Sequence, residues 1–379
     1  MPELDKVFQA GVNLRASDVH VVPGEPIILR RKGGLVKTRT PKLTTDQTWR
    51  LITELLSDEE KAHLSRENQL DFSYEIKGLG RFRGSTMAHN RGLSAAFRVI
   101  PPTIPALSSS GLPEVVAKVL DQHQGLILVT GATGMGKTTT LASMVDFINE
   151  RRAHHILTVE DPIEFVHPKK KGVVNQRQVG RDTHSYLNAL KGALREDPDV
   201  IVIGELRDLE TISLAISAAE TGHLVIGTLS TTNAPKTVDR IIDSYPPGEQ
   251  SQIRATLAET LKAVVTQKLI PSDTEDRMLM AVEILMVNLP VAGLIRDSKV
   301  FQIPNLMQTG KGLGMKLMDE SVKDLLDEGL ISVETALMHV ESETLQRQLK
   351  AKLVGLCEGM TIERIRTAGA VGRRACGCY

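Results

Sequence analysis

Between Gly131 and Thr138 the chain reads GATGMGKT, with the apolar run GLILV just ahead of it and TTLASMVDFI following. No other stretch constrains the fold as tightly. The spacing fits G-x-x-x-x-G-K-[ST], a loop whose glycines let backbone N–H groups curl around phosphate oxygens with no side chain in the way. A strand must deliver the chain to such a loop. A helix must leave it with its positive end toward the anion. Gly131, Ala132, Thr133, Gly134, Met135, Gly136, Lys137, Thr138 and Thr139 are therefore the expected nucleotide-binding residues. Lys137 is expected to reach the β- and γ-phosphates, and the Thr138 hydroxyl to ligate Mg²⁺, so ATP and Mg²⁺ are the expected ligands.

Near-continuous apolar runs GLILVTG, HHILTVE, DVIVIGE and HLVIGTL, separated by helical stretches, extend that unit to a parallel sheet covered on both faces. Ahead of them, the prolines and serines of PPTIPALSSSG (Pro101 to Gly111) favour an extended linker. Before the linker, SDVHVV, PIILRR, DFSYEI, RFRGSTMA and LSAAFRVI alternate as strands. Among them TTDQTWRLITELLSDEEKAHL places Trp49, Ile52, Leu55 and Leu56 at the spacing of one helix. Beyond Pro271 the pattern is mostly helical. The expected fold is α/β, with an α+β domain over 1–100, a linker over 101–112, the nucleotide core over 113–270, a helical subdomain over 271–368 and a flexible tail over 369–379.

Acidic residues fall where such a sheet binds its ligands, beyond the carboxyl ends of its strands. Glu205 in DVIVIGELRD is placed to hold the Mg²⁺ shell or orient water. HHILTVEDPIEFVH ends its strand with Glu160, Asp161 and Glu164, one of which is expected to polarise the attacking water; position alone does not choose between Glu160 and Glu164. Phosphoryl transfer also calls for positive charge on the γ-phosphate. GRFRGSTMAHNRGLSAAFR offers Arg81, Arg83, Arg91 and Arg98, and alternation puts Arg81 and Arg83 on one strand face as a paired clamp. Arg195 and Arg207 are further candidates. His20, His154 and His155 read as structural, and HPKKKG (His167 to Gly172) as a solvated loop.

These blocks, with ETGHLVIGTL after them, resemble the secretion and pilus ATPases, the hexameric motors of type II secretion and type IV pili. Within that group the likeness is greatest to the type IV pilus retraction ATPases, and it runs from ASDVHV to about residue 345. It implies a PAS-like N-terminal domain and a RecA-like P-loop ATPase core with a C-terminal helical subdomain. It also implies that Glu164, the last residue of EDPIE, is the general base, and that Glu205 is the Mg²⁺-associated carboxylate. TGHLVIGTLSTTN matches the family's histidine box, where His223 would sense the γ-phosphate; Ser230 stands where the family usually has a second histidine. Arginines of the Arg81–Arg83 segment would swing onto the nucleotide as the first domain closes.

The resemblance implies a homohexamer driving pilus retraction and twitching motility, engaging an inner-membrane platform protein of the pilus machinery from the cytoplasm. The rivals are an assembly or type II secretion ATPase, or an accessory retraction paralogue. Assembly and secretion members usually carry a longer N-terminal region and a four-cysteine zinc site. Here no cysteine precedes Cys357, and Cys376 and Cys378 in RRACGCY read as part of a frayed tail. A nucleic-acid motor is disfavoured by an aromatic content of 3% and a net charge of zero. The charged N-terminus lacks a signal-peptide core, and no apolar run is long enough to span a membrane.

Overall fold

The computed structural model describes residues 2–31, 33–275 and 277–354. Cys357, Cys376 and Cys378, and with them the expected tail, lie outside the described residues.

The N-terminal domain opens with helix α1 (Glu3–Asn13), followed by β1 (Asp18–Val21), β2 (Ile28–Arg31), β3 (Gly34–Lys37), α2 (Thr45–Thr53), α3 (Asp58–Glu67), β4 (Gln69–Ile76), β5 (Gly80–His89) and β6 (Gly92–Ile100). Its strands form one antiparallel sheet in the order β3-β2-β1-β6-β5-β4. Helix α1 was not foreseen. It buries Leu4 and Phe8, one turn apart, and the Phe8 ring stacks on Phe82 with centroids 4.3 Å apart. The single helix expected over residues 44–64 is two. Ser57 accepts from the Glu60 amide while the Glu60 carboxylate accepts from the Ser57 amide, and this capping box starts α3 afresh. Ile52 and Leu56 are buried as expected, whereas Trp49 is half exposed.

The second domain runs α4 (Glu114–Val119), β7 (Gly125–Thr130), α5 (Lys137–Arg151), β8 (His155–Glu160), β9 (Val173–Gln178), α6 (Tyr186–Ala193), β10 (Val200–Ile203), α7 (Leu209–Glu220), β11 (Leu224–Leu229), α8 (Ala234–Asp243) and α9 (Gln250–Thr260). It continues through β12 (Leu261–Pro271) and β13 (Met278–Met286) to α10 (Leu289–Arg296), α11 (Ile303–Thr309), α12 (Met318–Asp327) and α13 (Val333–His339). Seven strands form one sheet in the order β13-β12-β7-β11-β10-β8-β9. All neighbours are parallel except β12 and β13. The apolar strands bury both faces, with α6 to α9 packed on one and α4 and α5 on the other.

Two expectations change here. The sheet does not stop near Pro271: β13 returns antiparallel along β12 as far as Met286, so the helical part begins after it. The linker, expected to be extended without regular structure, carries a 3₁₀ turn over Leu107–Ser109, and Leu107 and Leu112 are buried against the second domain's core.

Candidate nucleotide site

The phosphate loop leaves β7 at its carboxyl end. Gly131 has φ +146°, and a methyl group there would sit 2.5 Å from the Gln267 carbonyl oxygen of β12, so only glycine fits. Strand β12 also braces the loop through side chains: the Gln267 amide donates to the Met135 carbonyl, and the Leu269 amide meets the Met135 sulfur at 3.2 Å. Gly136, left-handed at φ +81°, turns the chain into α5, whose first turn has neither a side-chain cap nor an acidic residue. Its free N–H groups and dipole therefore suit an anion. Lys137 donates to the carbonyls of Gly131 at 2.6 Å and Ala132 at 3.2 Å. Burial pulls its ammonium below the usual lysine range, and nearby Glu205 opposes that.

Glu205 follows β10 at the same edge of the sheet. It accepts from Arg207 Nε at 2.7 Å and from the Ser230 hydroxyl at 3.2 Å. Ser230 follows β11, so the serine that replaces a histidine of the family pattern is in direct contact with the acidic residue. The Thr138 hydroxyl and the Glu205 carboxylate are hard oxygen donors, and no cluster of three His, Cys, Asp or Glu side chains among the described residues is arranged to hold a metal alone. That donor set fits Mg²⁺, which takes few protein ligands and completes its shell with phosphate and water.

The carboxylates after β8 separate by environment. Glu160 turns inward, accepting from the Thr158 hydroxyl at 2.8 Å and the Gln176 amide at 2.9 Å. Burial pushes its carboxyl up while those hydrogen bonds oppose the shift. Burial also pushes up Asp161, against the pull of Arg207. Glu164 faces the N-terminal domain and accepts from Arg83 Nη1 at 3.3 Å. Arg81 Nη1 at 3.0 Å and the Ser73 hydroxyl at 3.1 Å both donate to the Ile163 carbonyl. Ile100 and Ile104 pack on Ala142 and Phe165 beside these contacts. The paired face of Arg81 and Arg83 exists as expected, and in this structure it grips the Asp161–Phe165 segment.

The structure does not bring every candidate together. His223 precedes β11 and donates from Nδ1 to the Ala218 carbonyl at 3.0 Å, while its own carbonyl accepts from the Gly125 amide at the start of β7. Seven residue steps along β11 separate it from Ser230, about 23 Å at ~3.3 Å per residue. His223 thus lies at the amino edge of the sheet, away from the phosphate loop of its own chain. Arg195 is exposed at that same far edge, before β10. Arg98 pairs with Asp18 inside the first domain. Gln267 and Tyr186, whose phenol packs against Gly204 beside Glu205, were not foreseen as site residues. Ser230 was legible from strand polarity: a residue just after β11 sits at the ligand edge, and one just before it cannot.

A glycine-rich phosphate loop at the carboxyl edge of a parallel sheet, with acidic residues after the neighbouring strands, defines a P-loop nucleotide hydrolase. Comparison with known proteins narrows this. Residues 1–308 match the family model described as type II/IV secretion system protein. The chain is 46% identical over 321 residues to the type IV pilus retractation ATPase PilT of Pseudomonas aeruginosa, covering 85% of this chain and 93% of that one. It is 33% identical over 380 residues to the type IV pilus ATPase PilU of the same organism, covering 98% and 99%. A crystal structure of the pilus retraction motor PilT with bound ADP superposes with a TM-score of 0.82 at 40% identity, covering 92% of this chain and 99% of that one. The chain belongs to the type II/IV secretion system protein family, as one of its ATPases.

Proposed function

We propose that this protein is a homohexameric motor that hydrolyses ATP to power type IV pilus retraction. The observation that carries the reading is the junction between the N-terminal arginines and the segment ending in Glu164, because it joins the chemistry to the position of a whole domain. The backbone of residues 131–136 and Lys137 hold the phosphates, and the first turn of α5 faces them. Thr138 and Glu205 would hold Mg²⁺, which would supply charge neutralisation to the phosphate oxygens. Glu164 takes the proton of the attacking water. Ser230 and Arg207 keep the Glu205 carboxylate oriented. Arg81 and Arg83 leave Ile163 and Glu164 when the first domain moves, and their guanidinium groups then face the developing charge on the nucleotide. A cavity of about 480 Å³ between the linker, α5 and the β12–β13 hairpin, walled by Ser110, Thr139, Leu269 and Met280, accommodates the base. The base thereby touches the segment that must bend.

Identity favours the retraction role, and the end-to-end match to PilU favours an accessory retraction ATPase as the second reading. In either role the protein works at the cytoplasmic side of the inner membrane against a platform protein of the pilus. No helix among the described residues is long and apolar enough to cross a membrane. Deleting the gene in its host and scoring surface pili tests this directly. Surplus, non-retracting pili with lost twitching support retraction, whereas loss of pili shows an assembly role. Normal twitching that turns defective only when a second retraction ATPase is weakened marks the accessory role.

A further inference from the structure

Glu283 lies in the middle of β13 and is only 6% exposed, an unusual place for a carboxylate. It accepts from the amide of Ala234 at 2.7 Å. Ala234 is the first residue of α8. First-turn amides have no partner within their own helix. Asn233 caps α8 through the Lys236 amide and so leaves the Ala234 amide free. On either side of Glu283 the strand is held by α12 and the residues leading into it: the Val282 amide donates to the Ser321 hydroxyl of α12 at 3.0 Å, and the Ile284 amide to the Lys316 carbonyl at 2.8 Å. One buried side chain therefore closes the start of α8 from a strand position that the approach to α12 and its first turn hold on both sides.

What those helices carry gives the contact its meaning. Helix α8 follows directly on the loop that begins at Ser230, whose hydroxyl reaches Glu205. That loop is tight, with the Thr231 and Thr237 hydroxyls 2.7 Å apart across it. Helix α12 packs with α13 on Ile270, Leu279 and Ala281 of the β12–β13 hairpin, forming the helical subdomain. Glu283 also stands directly across from Thr266, whose hydroxyl bonds that of Thr130, the last residue before the phosphate loop.

We propose that Glu283 is a positioning residue that locks the Ser230 loop to the helical subdomain, so that the stance of α12 sets the orientation of Glu205 during turnover. The inference rests on the assignment of Glu205 and Ser230 to the ATP site. It does not require Glu283 to touch nucleotide. Displacing α12 shifts β13 on either side of Glu283, the carboxylate pulls on the Ala234 amide, and the Ser230 hydroxyl shifts against Glu205.

The test is a double-mutant cycle on the full-length protein, with ATP hydrolysis as the readout. The variants are Glu283→Met (acceptor removed, bulk kept), Ser230→Ala and the pair, with Glu283→Gln (acceptor kept) as the conservative comparison. Expected for Glu283→Met is a kcat about tenfold lower and a KM for ATP within about twofold of wild type, because the phosphate loop is untouched, with Glu283→Gln within about threefold of wild type in kcat. Adding Ser230→Ala is expected to cost little more, since both changes cut one linkage. Fully additive effects on kcat overturn the proposal, as does an unchanged kcat in Glu283→Met. Should the Met variant fail to fold, Glu283→Asp (reach shortened) carries the same cycle and the same criteria. Failure of the ATPase assignment looks different: wild type would then show no hydrolysis above a Lys137→Ala control.

Discussion

Replacing Glu164 by glutamine separates chemistry from architecture more cleanly than any other single change. The two side chains are isosteric, and glutamine keeps an oxygen that can accept from Arg83. What disappears is the charge and the ability to take a proton. A positioned general base contributes about 10²–10⁴-fold, or about 3–5 kcal/mol of barrier. The structural cost is far smaller. The Arg83 contact spans 3.3 Å, longer than the ~2.7–2.9 Å of a strong charge-assisted hydrogen bond, and the Arg83 side chain is 35% exposed. Screening then limits the pair to about 0.5–1 kcal/mol. Steady-state phosphate release should therefore fall at least about a hundredfold, while nucleotide affinity and thermal midpoint stay close to wild type. Glu160→Gln provides the contrast, since both of its hydrogen bonds survive the change, and its rate is expected within about threefold of wild type. A Glu164→Gln enzyme turning over within about fivefold of wild type would refute the assignment, and a Glu160→Gln enzyme that is silent yet folded would transfer the role.

Other outcomes can be checked with simple assays. Gly131→Ala forces a left-handed residue against the Gln267 carbonyl. The strain and overlap together cost about 2–6 kcal/mol, and a fluorescent-nucleotide titration should show at least tenfold weaker binding. Ser57→Ala removes the cap of α3 and is expected to cost about 1 kcal/mol, read as faster amide exchange in the N-terminal domain alone. Burial pushes the Glu283 carboxyl up to about 7, with Asp319 and Glu341 adding to the shift and the amides of Ala234 and Met318 opposing it. The folded protein therefore binds a proton that the unfolded chain has released. Stability from this group is complete below its ordinary carboxyl range and is lost as pH rises toward about 7, by roughly 3 kcal/mol in all. Denaturant titrations of wild type and Glu283→Gln should show their stability difference drifting over that window and flat above it; parallel curves throughout would remove Glu283 from the cause.

The phosphate loop, the acidic strand ends and the order of the domains were legible because each depends on a local pattern: glycine spacing, an apolar run, a cluster of prolines. What escaped depended on partners distant in sequence. The strands β12 and β13 carry Lys268, Gln267 and Glu283 among their apolar residues, and those polar groups are explained only by the loop and helices they meet. The break before α3 was readable, since Ser57 and Glu60 spell a capping box, yet the helical spacing on either side masked it. The charges of α1 hid the Leu4–Phe8 pair in the same way. His223 shows the opposite hazard. A motif match carried a role to a residue that strand direction puts at the edge away from its own chain's phosphate loop, while Ser230, which breaks the pattern, is the one in contact with Glu205.

The strength of the junction between the two domains decides whether it can serve a motor. A contact of tens of kcal/mol would never open, and one near zero would transmit nothing. Here the Ser73 and Arg81 bonds to the Ile163 carbonyl contribute about 1 kcal/mol each. The partly buried Arg83–Glu164 pair, at a long 3.3 Å, adds somewhat less, and the Ile100–Ala142–Phe165 cluster adds a few side-chain faces of burial. The polar contacts together come to about 2–3 kcal/mol, below the ~5.5 kcal/mol of differential binding that carries a two-state equilibrium from 1:99 to 99:1. A nucleotide that bound one arrangement preferentially by that amount would open or close the junction decisively. Because the residue released is Glu164 itself, the same event would free the proposed base and move the domain.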